Sequence, residues 1–146
     1  MLQRNRQPCA KTIIKGSEAY PDIHGEVLFF QEKNTVLIHA AICGLPRNDS
    51  GFYGFHIHEG TDCDSGFQNT GGHLNLKENS HPSHMGDLPP LLSYNGNAFM
   101  TVKTNRFTVR DIIGRTVIIH YRADDFRTQP SGDSGEKIAC GTIINA

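Results

Sequence analysis

The chain has 146 residues, with 14 Lys and Arg against 15 Asp and Glu, so its formal net charge at neutral pH is −1. A chain of this length buries about 70% of the surface that it exposes when unfolded, which is enough for one core, and we expect a single domain over residues 1–146. The balanced charge gives no net field that favours nucleic acid as a partner, so any electrostatic steering of a ligand must be local.

The opening residues, MLQRNRQPCAKTIIKG, contain arginines but lack the apolar stretch of roughly seven to fifteen residues that a secretory signal carries. No later segment is apolar for long enough to span a membrane. We therefore expect a soluble, cytoplasmic protein with no membrane partner. The alternative is an exported protein, periplasmic or extracellular, whose signal is omitted from this chain.

Short segments rich in β-branched and aromatic residues follow one another along the chain, bounded by Gly, Pro, Asn or Asp. They predict eight strands, at residues 11–16, 25–32, 35–45, 53–59, 97–104, 107–113, 115–122 and 137–144. QEKNTV has the character of a hairpin turn between the second and third strands, and YNGNA that of a turn before the fifth. Apolar residues do not recur at helical spacing, so the predicted fold class is all-β, an antiparallel sandwich or barrel with little helix.

Two intervals, 60–95 and 123–136, are too long to be hairpin turns. Long irregular loops in a small domain are usually functional. The first contains His73, His81, His84 and Asp87 within fifteen positions, and it cannot bury an apolar face. Three imidazoles and a carboxylate match the ligand set of tetrahedral zinc, which indicates a metal site; the alternative is a solvated polar loop.

Three other histidines lie in predicted strands. His56 and His58 are two residues apart, so both side chains lie on the same face of their strand, either as metal ligands or as solvated surface residues. His120 ends the apolar run RTVIIH and must find a hydrogen-bond partner or a metal there. By itself, this position favours a hydrogen-bonded core histidine over a metal ligand.

The four cysteines, Cys9, Cys43, Cys63 and Cys140, form no C-x-x-C pair and are too few for a disulfide scaffold. A bridge between Cys63 and Cys140 would tie the long loop to the last strand, and loop closure predicts that it would add about 4–5 kcal/mol to the stability. Free thiols are the alternative, which a reducing compartment favours.

Five segments in order, GFHIHEGTDC, GGHLNL, HMGDLP, IIGRTVIIH and GEKIACG, resemble the copper/zinc superoxide dismutase family over nearly the whole chain. The resemblance implies an eight-stranded Greek-key barrel or sandwich and an enzyme that dismutes superoxide, its small-molecule substrate, to dioxygen and hydrogen peroxide. It also implies copper and zinc as cofactors. Six of the eight histidines fall on the family's ligand positions, which leaves His24 and His39 as structural residues.

The resemblance also implies the role of each site residue. The copper ligands are His56, His58, His73 and His120, and the zinc ligands are His73, His81, His84 and Asp87. His73 is then an imidazolate that bridges both metals, takes up a proton in one half of the reaction and gives it to a second superoxide in the other.

Three further roles follow from the same resemblance. Asp124 matches a carboxylate that orients one ligand of each metal, here His56 and His81, although an aspartate in this segment is also typical of a turn, as is its neighbour Asp125. Cys63 and Cys140 match the family's intrasubunit disulfide. Lys137 occupies the position of the family's anion-guiding arginine, and its compact ammonium is sufficient for a small anion, so we expect turnover to be retained.

The three-residue spacing of His81 and His84 and the short segment FRTQPSGDSG resemble bacterial members of the family. Bacterial and eukaryotic members pair through different surfaces, and we expect a homodimer here. Two other functions fit parts of the sequence. One is a copper-handling module without catalysis, which predicts a missing copper ligand; all four copper histidines are present. The other is a zinc hydrolase, which needs an open zinc position; four protein ligands would close the site.

Overall fold

The computed structural model describes residues 6–146; residues 1–5, where the opening segment and the predicted domain begin, lie outside this range. The described residues form nine strands, two short α-helical turns and one 3-10 turn, Gln68–Thr70. The strands are β1 (Ala10–Gly16), β2 (His24–Gln31), β3 (Val36–Cys43), β4 (Phe52–Tyr53), β5 (Phe55–His58), β6 (Leu91–Tyr94), β7 (Asn97–Thr104), β8 (Thr116–His120) and β9 (Lys137–Asn145), and the turns are α1 (Asp64–Phe67) and α2 (Val109–Ile112). No helix within residues 6–146 is long and apolar enough to cross a bilayer.

All nine strands belong to one antiparallel sheet, in the order β4-β6-β7-β3-β2-β1-β9-β8-β5. The first and last strands of this order, β4 and β5, are separated in the chain by Gly54 alone. The two edges of the sheet therefore meet, and the sheet forms a nearly closed barrel. The predicted all-β antiparallel fold is confirmed, and of the two predicted arrangements, barrel and sandwich, the structure has the barrel.

The barrel interior is filled by alternate residues of each strand, as the period of two requires. In β3, Val36, Ile38, Ala40 and Ile42 point inward and are buried, whereas the residues between them are partly exposed. β5 and β8 differ, because all their residues are buried. Their outer faces are covered by the two long loops, residues 59–90 and 121–136, and the functional residues lie under this cover.

One predicted strand, residues 107–113, is wrong, because the segment FTVRDII contains the helical turn α2. Thr108 precedes this turn, and its backbone N–H donates to Asp111 Oδ2 at 2.8 Å, as in a helix-capping box. Val109 and Ile112 are three residues apart and both are buried. That spacing places them on one helical face, whereas the alternation of a strand would separate them.

Two smaller differences concern strand boundaries. Gly54 divides the predicted strand 53–59 into parts of β4 and β5. A Cβ at Gly54 would lie 2.8 Å from Ser134 Oγ, so the close approach of Ser134 leaves no room for a side chain here. β6 lies inside the predicted loop 60–95. The predicted turns are confirmed: Gln31 pairs with Val36 at the first, and Asn95 and Gly96 both adopt positive φ at the second, as a tight hairpin requires.

Candidate metal centre

The site is built on the outer face of the barrel, where β5 and β8 pair side by side. Phe55 and Ile57 of β5 point into the core, so His56 and His58 project outward. His120 ends β8 and lies on the same outer face as Ile118, the cross-strand partner of His56. Strand alternation thus brings three histidines, distant in the chain, to one face of two adjacent strands.

The first long loop is held against the free edge of β5 by backbone hydrogen bonds. Leu74 N–H donates to Ile57 O at 2.8 Å, and Ile57 N–H donates to Gly86 O at 2.9 Å. A Cβ on Gly86 would lie 2.1 Å from Ile57 O, so this close approach requires glycine. The pairing places His73 beside His58 and Asp87 beside His56.

Two groups of four buried side chains result within residues 6–146, and in each group the nitrogen and oxygen atoms that face inward lie within 4.8 Å of one another. We call them the first and the second group. The first group is His56, His58, His73 and His120, and the second is His73, His81, His84 and Asp87. His73 belongs to both groups, which therefore share one imidazole ring.

Hydrogen bonds select the nitrogen that each imidazole presents to the first group. His58 Nδ1–H donates to Gly71 O at 2.8 Å, and His120 Nδ1–H donates to Gly135 O at 3.1 Å. A carbonyl oxygen only accepts, so the lone pair of each ring lies on Nε2. The two Nε2 atoms face each other at 3.3 Å. His56 is reversed, because its Nε2–H donates to Asp124 Oδ2 at 2.8 Å and its Nδ1 faces the group.

The second group is arranged around the carboxylate of Asp87. His73 Nδ1 lies 2.6 Å from Asp87 Oδ1, and His84 Nδ1 lies 3.4 Å from His73 Nδ1. The backbone N–H of His84 donates to Asp87 Oδ2 at 2.9 Å. His81 Nδ1 is 3.0 Å from the same Oδ2, although the two atoms do not form a hydrogen bond. His84 Nδ1 also lies 3.4 Å from Oδ2, so all three rings direct Nδ1 at one carboxylate.

Three imidazole nitrogens of these groups are buried and have no hydrogen-bond partner among the described residues: His56 Nδ1, His73 Nε2 and His81 Nδ1. A buried polar atom without a partner costs roughly 1–3 kcal/mol, so such atoms are rare unless they serve a function. Each of the three faces the interior of its group. Copper and zinc ions bind to such free lone pairs. The first group offers four imidazole nitrogens and the second offers three imidazole nitrogens and a carboxylate, so these donors fit both metals.

Burial favours the neutral form, which can act as a ligand, in four of these histidines. It lowers the pKa of His120 to about 3 and that of His58 well below its usual range, and the nearby His73 and Lys137 charges act in the same direction. Burial also lowers the pKa of His56 and of His84. For Asp87, burial acts to raise the pKa, but the hydrogen bond with His73 and the charges of the neighbouring histidines outweigh it.

Asp124, in the second long loop, connects the two groups. Its Oδ2 accepts from His56, and its Oδ1 accepts from His81 Nε2 at 2.7 Å and from the backbone N–H of Phe126 at 2.7 Å. Burial acts to raise the pKa of Asp124, but these hydrogen bonds hold it well below its usual range. Asp125 instead accepts from the backbone N–H groups of Arg127 and Thr128, which makes it the turn aspartate.

Lys137 begins β9 directly opposite His120 in the sheet register. Its Nζ donates to Gly71 O at 3.2 Å, the same carbonyl that accepts from His58, so the ammonium lies at the edge of the first group. Lys137 stays partly exposed to solvent. Burial lowers its pKa from the ordinary value.

The predicted disulfide is confirmed, with the Cα atoms of Cys63 and Cys140 5.9 Å apart. It packs with Phe67 against Ile118 and so fixes the start of the first long loop to the outer face of β8. Cys9 and Cys43 are free. His24 and His39 belong to neither group; His39 instead contacts Thr101 Oγ1 at 2.9 Å and the edge of Phe99.

Two residues near the second group were missed by the sequence analysis, Arg106 and Gln129. Both contact backbone atoms of residues 81–87. Contacts to a backbone leave no pattern of residue types in the segment that is contacted, so nothing in the sequence marks either residue.

The family model for copper/zinc superoxide dismutase matches residues 23–143. The chain is 35% identical over 127 residues to a Cu-Zn superoxide dismutase of Legionella pneumophila. The matched region covers 82% of this chain and 76% of that protein. The chain is 31% identical over 138 residues to an extracellular Cu-Zn superoxide dismutase of Caenorhabditis elegans, covering 84% of this chain but 61% of that longer protein. A putative Cu-Zn superoxide dismutase of Autographa californica nuclear polyhedrosis virus is 30% identical over 141 residues, with 84% and 91% covered.

Proposed function

Since this chain belongs to the copper/zinc superoxide dismutase family and dismutes superoxide to dioxygen and hydrogen peroxide with copper and zinc as cofactors, we propose the roles of its individual residues. The first group holds copper and the second holds zinc. The compact zinc loop and the match to the Legionella protein identify the chain as a bacterial-like member. The likeness to the family and the grouping of the side chains support this assignment.

The observation that carries the proposal is the position of His73. Its Nδ1 faces Asp87 in the second group, and its Nε2 is buried in the first group without a hydrogen-bond partner. A ring placed in this way offers one nitrogen to each metal. When bound, copper supplies the one-electron redox chemistry that side chains lack, and zinc supplies a fixed positive charge without redox chemistry.

His73 also supplies the proton store that the reaction needs. Its Nε2 takes up a proton in the first half of the cycle and gives it to the second superoxide. Reduction of that superoxide to hydrogen peroxide consumes two protons, and the other one comes from solvent. Lys137 binds the anionic substrate at the edge of the copper group, where its ammonium remains partly exposed.

The test is reconstitution with copper and with cobalt in place of zinc, followed by electron paramagnetic resonance and a superoxide-consumption assay. A shared imidazolate couples the two metal spins, so we expect the copper signal to disappear in the parent protein and to return in His73→Gln. His39→Gln, which lies outside both groups, serves as the control. A full copper signal in the loaded parent protein means separate metal centres and contradicts the proposal.

The same samples test the two rival functions. A copper-handling module binds copper and consumes no superoxide. A zinc hydrolase retains its hydrolytic activity when copper is omitted. The proposed enzyme then loses its superoxide-consuming activity. Closure of the second group by four protein ligands argues against the hydrolase, because metal-bound water needs a free position.

A homodimer is also part of the proposal. Four large apolar side chains are exposed on the neighbouring strands β4, β6 and β7: Phe52, Leu92, Tyr94 and Phe99. A second copy of this chain is the occupant that matches, because a two-fold axis through the patch places the same apolar residues against one another. We expect a dimer in sedimentation and a monomer for Leu92→Lys. A monomeric parent protein contradicts the dimer.

The extent of the domain and the compartment stay predictions. A single domain over residues 1–146 predicts one cooperative unfolding transition, and the family match over 23–143 supports it. A reducing cytoplasm favours thiols at Cys63 and Cys140, whereas an exported protein keeps the bridge. Rapid thiol trapping in intact cells, combined with fractionation, distinguishes the two compartments.

A further inference from the structure

The zinc-binding segment, residues 81–87, is contacted at its backbone by two side chains that belong to neither metal group. Arg106 lies between β7 and α2, on the body of the barrel. Gln129 lies in the second long loop. From their contacts we propose that Arg106 and Gln129 are positioning residues that hold residues 81–87 in the zinc-receiving conformation before any metal binds. This inference rests on the zinc role proposed above for the second group.

The guanidinium of Arg106 lies where three backbone carbonyls converge. Its Nη1 donates to Pro82 O at 2.7 Å, to Asp87 O at 3.2 Å and to His84 O at 3.3 Å. Carbonyl oxygens carry partial negative charge, so three of them around one point repel one another unless a donor or a cation lies between them. Arg106 supplies the cation and the donors, and two of the three carbonyls belong to proposed zinc ligands.

Gln129 contacts the segment from its other end. Its Oε1 accepts from the backbone N–H of His81 at 2.9 Å, and its Nε2 donates to His81 O at 2.7 Å. One amide side chain thus satisfies both backbone groups of a single ligand residue, as a neighbouring strand would do. Gln129 is more exposed than Arg106, so water replaces its hydrogen bonds more readily, and its effect should be smaller.

The backbone of residues 81–87 is therefore held by other side chains of the protein and not by the metal alone. The two ends of this segment are fixed to two different parts of the fold. Arg106 ties residues 82–87 to the barrel, and Gln129 ties His81 to the loop that carries Asp124. Partners of this kind, outside the ligand set, typically change metal affinity by about 10–100-fold when they are removed. Zinc binding to this chain then requires little ordering of the segment.

The experiment uses the full-length metal-free protein, with Co²⁺ as the only added metal and a spectroscopic probe of the second group. The variants are Arg106→Ala, Arg106→Lys and Gln129→Ala, and the controls are Arg110→Ala and Arg127→Ala, which remove exposed arginines from the same two regions. We measure the visible absorption spectrum of bound Co²⁺, its release to a chelator, and amide hydrogen exchange of segments 81–88 and 24–43 without metal.

We expect Co²⁺ release to be about tenfold faster in Arg106→Ala and several-fold faster in Gln129→Ala. The absorption bands should shift, and exchange should rise in 81–88 while 24–43 stays unchanged. Arg106→Lys should restore part of the effect, since an ammonium also donates to carbonyls. If Arg106→Ala does not fold, Gln129→Ala and Arg106→Lys carry the test.

Parent-like Co²⁺ spectra and release rates in the variants overturn the inference, as does an exchange increase that is equal in both segments, because that reports general destabilisation. Failure of the proposed function gives a different result: a parent protein loaded with copper and zinc that consumes no superoxide, whatever the variants show.

Discussion

Lys137 donates a hydrogen bond of 2.7 Å from Nζ to Thr70 Oγ1. Thr70 is fully buried, and its own hydroxyl donates to Phe67 O at 2.8 Å. The position of the proposed substrate-binding cation is therefore set by Thr70, three residues before His73, in the loop that the disulfide fixes at Cys63. A flexible lysine side chain is held in place here by contacts that its own strand does not provide.

The first prediction concerns the rate of reaction with superoxide. Lys137→Ala removes the cation beside the copper group, so kcat/KM should fall about tenfold at low ionic strength, and the decrease of the rate with added salt should become weaker. Lys33→Ala, in the exposed turn between β2 and β3, removes the same charge from a residue that belongs to neither group and should leave the rate unchanged. An unchanged rate in Lys137→Ala refutes the assignment.

The second prediction concerns pH. Lys137 is a cation below its pKa, and burial lowers that pKa from the ordinary value. The rate should therefore be maintained at neutral pH and decrease as pH rises through a midpoint below the usual lysine value of about 10.4. Lys137→Arg should shift this decrease to higher pH, since a guanidinium stays protonated. The check is kcat/KM between neutral and strongly alkaline pH; identical profiles for the two proteins contradict the prediction.

The third prediction concerns Asp124. Asp124→Asn keeps the size of the side chain but replaces a charged acceptor of two imidazole N–H groups with a neutral amide. Loss of such a carboxylate should lower zinc affinity by about 10–100-fold, because His81 is no longer held with Nδ1 facing the group. Competition with a chromogenic chelator measures the affinity.

Asp125→Asn is the matched control for Asp124→Asn. Asp125 accepts from backbone N–H groups of its own turn and contacts neither His56 nor His81. Its substitution should leave zinc affinity within about twofold of the parent. Equal losses in both variants would show that the loop conformation, and not the Asp124 carboxylate, maintains the site.

The fourth prediction concerns the disulfide. The bridge closes a segment with a sequence separation of 77, for which loop closure predicts a contribution of about 4–5 kcal/mol to the free energy of unfolding. Cys63→Ser should lose roughly that amount in urea unfolding of the metal-free protein. Cys43→Ser changes a free, partly buried thiol and should cost much less. Equal costs for the two substitutions are the contrary result.

The sequence by itself was sufficient for the all-β class and for the donor set, whereas it left barrel and sandwich open. The alternation of apolar residues in β3 predicts a strand, because successive side chains of a strand point to opposite faces. Asn95-Gly96 predicts a tight turn, because these residue types adopt positive φ readily. Both patterns are local and depend on no distant contact. The order of five motifs was enough to select the histidines and the cysteine pair. The helical turn α2 was not predicted, because residues 107–113 are rich in β-branched residues and Thr108 and Asp111 are the only sign of a helix cap.

The tertiary structure alone decided which nitrogen of each imidazole faces its group, how the two oxygens of Asp124 are shared between His56 and His81, and how residues 81–87 are held. Each depends on a partner distant in the chain: Gly71 O for His58, His81 for Asp124, and three loop carbonyls for Arg106. Residue type determines what an atom can donate or accept, and these identities are present in the sequence. The distance and direction of its partner arise only when the barrel closes and the two long loops pack on its outer face.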